Sequence, residues 1–151
     1  MEKTLVLIKP DAMQKCLAGN IISDMYTTGL KMVGLKMVNV KRELAEQHYN
    51  NLLEEKGEKI YEDVLKYLQG DYHENQNVIA IVYSGEDAIK KVREAVGATN
   101  PEKAHPQSIR GKYGRIIAEK DLFETVIHAS DSPENGERET SLWFDENELV
   151  E

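Results

Sequence analysis

Four histidines, one lysine just past an apolar run and two arginines are the side chains best suited to chemistry on an anionic substrate. His48 lies among helical polar residues, His73 in a polar, turn-rich stretch and His105 just before a proline, contexts that suit solvated rings. His128 differs. It follows an apolar strand end and precedes Ser130-Asp131-Ser132-Pro133, the start of a helix. The free N–H groups and positive end of a helix stabilise a nearby phosphate. The same field keeps a neighbouring imidazole neutral, which is its nucleophilic form. Read locally, a buried structural histidine at a strand end remains open beside that of a nucleophile.

The cations are individually ambiguous as well. Lys9 sits past a buried strand and before Pro10, where it can project over the end of a sheet towards a ligand. Arg93 lies on the polar side of a helix, the usual place of a solvated arginine. Arg110, flanked by Gly111, can approach a phosphate in bidentate fashion. Thr99 and Asn100 before Pro101 suit a turn. The sequence has no Gly-x-x-x-x-Gly-Lys-Ser/Thr loop, no Gly-x-Gly-x-x-Gly fingerprint and no paired metal-ligand spacing.

These residues must be positioned by the elements around them. Thr4–Ile8 reads as a buried strand ended by Lys9-Pro10-Asp11. Asn20 to Gly29 reads as a helix with Ile21, Ile22, Met25 and Tyr26 on one face. Residues 29–38 repeat Gly-Leu-Lys-Met-Val twice and, continued to Val40, predict a long strand with apolar side chains on both faces. Leu44 to Leu53 predicts a helix, Glu54–Lys59 a charged break, and Ile60, Tyr61, Val64, Leu65 and Leu68 a second helical stripe. Gln69–Gln76 predicts a surface loop, Asn77–Tyr83 a strand and Asp87 to Val96 a helix. Gly97–Gly114 predicts an ordered loop of functional length. Thr125–Ile127 predicts a short strand leading into His128, with Ser132 and Pro133 opening a closing helix through Phe144. This is an α+β order. It matches the ferredoxin-like split β-α-β-β-α-β pattern, a four-stranded antiparallel sheet with flanking helices in a single domain of residues 1–151.

Composition narrows the setting. The formal net charge of −8 disfavours broad nucleic-acid or anionic-membrane binding, while leaving room for a small anionic ligand. One cysteine excludes an internal disulfide and a cysteine zinc cluster. With no signal-peptide pattern and no apolar stretch longer than Val78 to Tyr83, a soluble cytoplasmic protein is expected.

Taken in order, Lys9-Pro10-Asp11-Ala12, His48-Tyr49, Gly97-Ala98-Thr99-Asn100-Pro101, Ile109-Arg110-Gly111, Ile127-His128-Ala129-Ser130-Asp131-Ser132 and Leu142-Trp143-Phe144 resemble the nucleoside diphosphate kinase family. The likeness runs from Thr4 to about Val150, and His-Ala-Ser-Asp-Ser is its most specific element. It implies ping-pong transfer of the γ-phosphate from a nucleoside triphosphate, mainly ATP, to a diphosphate such as GDP, maintaining NTP and dNTP pools. His128 would be the nucleophile, phosphorylated on its pros nitrogen. By the same resemblance Lys9, Arg93, Arg110 and Thr99 are phosphate ligands, Tyr49 a support beside Lys9, and Glu139 the group that orients His128. Mg²⁺ would arrive with the nucleotide, held by phosphates and water rather than by protein ligands. The resemblance also implies a homo-oligomer, hexamer favoured over tetramer.

The sequence departs from that pattern in places. The family's stacking phenylalanine position falls at Ile60, with Tyr61 adjacent. The asparagine three residues before the histidine is Thr125, and apparent insertions lie near 54–59, near 69–76 and between Gly111 and Thr125. The competing readings are a silent relative acting as a regulatory subunit and a ferredoxin-like module binding nucleic acid or a small ligand. Intact His128, Lys9 and Arg110 oppose the first. The acidic charge, without a basic aromatic sheet face, opposes the second.

Overall fold

The computed structural model describes residues 1–151. Its centre is the apolar run at the start of the chain. In strand β1, Glu2–Ile8, Leu5 to Ile8 are fully buried, so both faces of this strand are covered. Strand β3, Asn77–Gly85, pairs antiparallel with β1 from Glu2 opposite Gly85 to Ile8 opposite Ile79. Strand β2, Lys31–Asn39, pairs antiparallel with the outer side of β3, with a register shift between Met32 and Gly34.

A hairpin of two short strands, β4 at Arg115–Ile117 and β5 at Leu122–Glu124, stands apart from this sheet. Strand β6, Ile127–Ala129, pairs antiparallel with the other side of β1, giving the order β2-β3-β1-β6. The expected four-stranded antiparallel sheet is thus present.

Helices cover both faces. One face of the sheet packs Val6, Ile8, Ile81 and Tyr83 against helix α1, Pro10–Gln14, α2, Ala18–Met25, and α6, Ala88–Val96. The other packs Leu5, Leu7, Ala80 and Val82 against α3, Arg42–His48, α5, Glu58–Gln69, and α8, Pro133–Trp143. The alternation along β1 therefore feeds two apolar layers. No helix is long and apolar enough to cross a membrane.

Several boundaries differ from the sequence reading, each for a local reason. The helix expected to Leu53 stops at His48, and α4, Leu52–Lys56, follows a turn. The charged break expected over 54–59 reduces to Gly57, whose φ of +87° separates α4 from α5. The loop expected over 97–114 contains a helix, α7, Ile109–Tyr113, capped by Ser108, whose hydroxyl accepts from the Gly111 N–H. The strand expected at Thr125–Ile127 begins only at Ile127 and includes His128. The β4–β5 hairpin was not anticipated. The closing helix starts as expected: Ser132 accepts from the Asn135 N–H and Pro133 occupies the first turn.

Candidate functional site

His128 lies on β6 opposite Leu7, so its ring leaves the sheet on the face covered by α3, α5 and α8. There its Nε2 lies 2.8 Å from Glu139 Oε1, an oxygen that also accepts a 2.7 Å bond from the Ser130 hydroxyl. An acceptor facing Nε2 assigns the proton to that nitrogen, leaving the Nδ1 lone pair free. Burial, reinforced by the charges of Lys9 and Arg110, holds the imidazole pKa well below its ordinary value, so the ring is neutral at pH 7. Glu139, expected to orient His128, is the carboxylate that faces its Nε2. Burial raises the Glu139 carboxyl, with His48, Ser130 and Arg138 opposing that rise.

His48 was expected to be solvated and is instead 2% exposed. Its Nδ1 accepts a 3.1 Å bond from the Trp143 indole, and its ring stands edge-on to His128 with centroids 4.4 Å apart. Because an indole only donates, Nε2 of His48 keeps its proton, and that nitrogen has no hydrogen-bond partner. His73 is likewise buried rather than solvated, paired with Glu124. Only His105 of the three is exposed, as expected. The polarity of their sequence neighbours misled. Burial of His48 and His73 comes from partners far away in the chain.

The cations converge on His128 from three elements. Lys9, at the end of β1, is almost fully buried. Burial chiefly, and then Arg110, lower its pKa to about 8, with Asp11 opposing. Arg110 on α7 is lowered to about 10, mainly by burial. Arg93 on α6 is exposed, and its charge also reaches His128.

Lys9 and Arg110 are held by one short stretch, residues 125–127. The Lys9 ammonium donates to the Thr125 hydroxyl at 3.1 Å, and Arg110 donates to the carbonyls of Thr125 at 3.3 Å and Ile127 at 2.7 Å. Thr125, expected to face a nucleotide, is thus buried as a partner of Lys9 and Arg110. Gly111 is required beside Arg110, because a Cβ there would lie 2.0 Å from the His105 carbonyl oxygen.

Not all the anticipated residues meet here. Tyr49 packs edge-on against His48, within reach of the Arg110 and Glu139 charges, but the phenol ring 4.9 Å below the Lys9 ammonium belongs to Tyr67. Tyr67 also accepts from the Thr125 N–H. Sequence reading missed it. The clue was its spacing, seven residues after Ile60 and so on the same side of α5. Thr99 is exposed after α6, and Ile60 is exposed two turns out from Tyr67.

The β4–β5 hairpin runs beside α5. At its base Glu124 pairs with His73, Lys15 and Arg115. At its tip Asp121 adds to the effect of Asp63 in favouring the charged form of Lys59.

His48, His128 and Glu139 are the one group of three or more metal-capable side chains with donor atoms within 4.8 Å of one another. Two imidazoles, one held as its Nε2–H form by Trp143, do not suit Mg²⁺, which prefers six oxygen ligands. The site offers a nucleophilic nitrogen and a ring of cations, an arrangement suited to taking up a phosphoryl group.

The family model described as nucleoside diphosphate kinase matches residues 2–149. A nucleoside diphosphate kinase of Carboxydothermus hydrogenoformans is 44% identical over 150 residues, covering 99% of this chain and 92% of that protein. One of Staphylococcus aureus is 43% identical over the same span, again 99% and 92%. Among solved structures, the Borrelia burgdorferi nucleoside diphosphate kinase with vanadate and ADP superposes with a TM-score of 0.89 at 33% identity, covering 99% of this chain and 90% of that one. The Halobacterium salinarum enzyme in complex with CDP gives 0.84 at 38%, covering 99% and 91%.

Proposed function

This chain belongs to the nucleoside diphosphate kinase family, and from that premise we propose that His128 carries the phosphoryl group between nucleotides. The protein is a nucleotide phosphotransferase. In the first half-reaction the His128 Nδ1 lone pair forms a bond to the γ-phosphorus of a nucleoside triphosphate, mainly ATP. The bond to the β–γ bridging oxygen breaks, and the diphosphate leaves with that electron pair. In the second, a terminal oxygen of another diphosphate attacks the same phosphorus and the P–N bond breaks. One site serves both directions because each step is the reverse of the other in kind.

The observation that carries this reading is the free Nδ1 of a neutral His128, ringed by Lys9, Arg110 and Arg93. The cations neutralise charge on the equatorial oxygens as the phosphoryl group moves. Glu139 holds the Nε2 proton as the ring takes on positive charge. Thr99 and Ile60 are exposed, while Tyr49 lies beside His48 within reach of the Glu139 and Arg110 charges. In this reading they meet the nucleotide, or support the groups that do, once it is bound.

The residues of the site supply no oxygen cage, so Mg²⁺ would be carried by the phosphates and water and would supply further neutralisation. The same reading takes residues 1–151 as one domain and the assembly as a homo-oligomer of the cytoplasm. Initial rates with donor and acceptor varied together test the scheme: parallel double-reciprocal lines are expected. Lines that converge would mean both nucleotides bind at once.

A further inference from the structure

The 125–127 stretch that holds both buried cations is itself strained. Val126, β-branched and fully buried, has a φ of +57°, and the Ile127 N–H closes a three-residue turn on the Thr125 carbonyl at 2.6 Å. A β-branched side chain in the left-handed region is held only where its surroundings over-determine it. The side chain that holds Val126 itself is Asp11. Asp11 is fully buried and its Oδ2 accepts the Val126 N–H at 3.1 Å. On the other side the Lys9 N–H donates to the Val126 carbonyl at 2.9 Å. Asp11 Oδ1 has no hydrogen-bond partner.

We propose that Asp11 is a positioning residue for the transfer reaction: through the Val126 turn it aims Lys9 and Arg110 at His128, and its charge keeps Lys9 cationic. The proposal rests on the reading of His128 and Lys9 above. The geometry is economical. The turn presents the Thr125 hydroxyl to Lys9 and the Thr125 and Ile127 carbonyls to Arg110, and the next residue is His128. Lys9 is otherwise faced by groups that carry no negative charge to offset its own, although the π face of Tyr67 favours the ammonium. These are Arg110 on α7, the Tyr67 ring on α5, His128 on β6 and His48 on α3, whose own pKa Lys9 depresses after burial and His128. Asp11 is the one acid that works against burial of the ammonium, so its loss would let Lys9 shed its proton at lower pH.

The test is Asp11→Asn, which keeps the shape and an acceptor for the Val126 N–H while removing the charge. The pH dependence of kcat/KM is measured for both proteins, together with phosphorylation of His128 by labelled ATP. The alkaline limb is expected to fall by about one pH unit in the variant. At pH 6.5 the two proteins then agree within about twofold, and at pH 8.5 the variant is close to tenfold slower. Asp11→Ala, lacking the acceptor too, is expected to lose kcat across the whole range. Superimposable profiles for Asp11→Asn, or an equal loss at both pH values, would overturn the proposal. So would failure of this near-isosteric variant to fold, since Asp11 would then serve stability rather than aim. A wild-type protein that takes no label at His128 would instead sink the underlying functional reading, whatever the variant does.

Discussion

At the residue scale the central object is a neutral imidazole with one nitrogen committed and the other free. Burial and the neighbouring cations hold His128 well below the usual histidine range, so protonation of this ring should not limit kcat/KM above pH 6. Lys9 acts at the other end. With a pKa of about 8 it loses its charge as pH rises, so kcat/KM should decline above pH 8. A flat profile to pH 10 would mean that Lys9 stays charged or does not matter. Lys9→Ala and Arg110→Ala should each lower turnover by about 10²–10³, by removing charge stabilisation in the transition state. Near-normal rates in a steady-state assay would contradict the pocket. Ile60→Phe should tighten nucleotide binding a few-fold, because an aromatic face adds about 1 kcal/mol beyond area alone. An unchanged Kd by titration would remove Ile60 from the site. His128, Lys9 and Arg110 were legible because motif order ties them together. Asp11 was quoted only as a motif letter, and Tyr67 was passed over. Their parts depend on the backbone at Val126, whose positive φ has no signature in a valine.

At the element scale the β4–β5 hairpin is tied to the rest of the chain by Glu124, which pairs with His73, Lys15 and Arg115. Burial would raise this carboxyl, but bonds from Lys15, Arg115 and His73 outweigh that and bring it down to about 2. A depressed acid stabilises the fold above its unfolded value, near 4.5, and that contribution is lost as pH falls from there towards 2. Glu124→Gln should therefore cost about 2–3 kcal/mol at pH 7 and progressively less below pH 4, measured by urea unfolding across that range. A constant difference at all pH values would mean the charge is not what anchors the hairpin. This element was invisible in the sequence because its strands are three residues each, too short for alternation to register. His73 escaped for a related reason. A polar turn reads as solvated until its partner, 51 residues away, is known.

At the scale of the whole molecule, the split β-α-β-β-α-β order was readable because β1 and β3 are long, apolar and bounded by clear stops. The two faces of β2 were also legible in the doubled pentapeptide, and the structure shows what that pattern leaves over. β2 is an edge strand, and Leu35 and Met37 on it are 54% and 61% exposed. Such an edge needs a cover. Sedimentation velocity should give a species several times the mass of one chain, and Leu35→Asp combined with Met37→Asp should yield smaller ones. A wild-type monomer at micromolar concentration would contradict that assembly.

The proposed transfer requires a covalent phosphorylated intermediate at one nitrogen. The direct measurement is to incubate the protein with γ-labelled ATP and Mg²⁺ without acceptor, then locate the label by peptide mapping and ³¹P NMR. The expected result is a single acid-labile, base-stable phosphoryl group on Nδ1 of His128, discharged when a nucleoside diphosphate is added. Label that persists undiminished in His128→Gly, or turnover in the native protein without any labelled histidine, would contradict it.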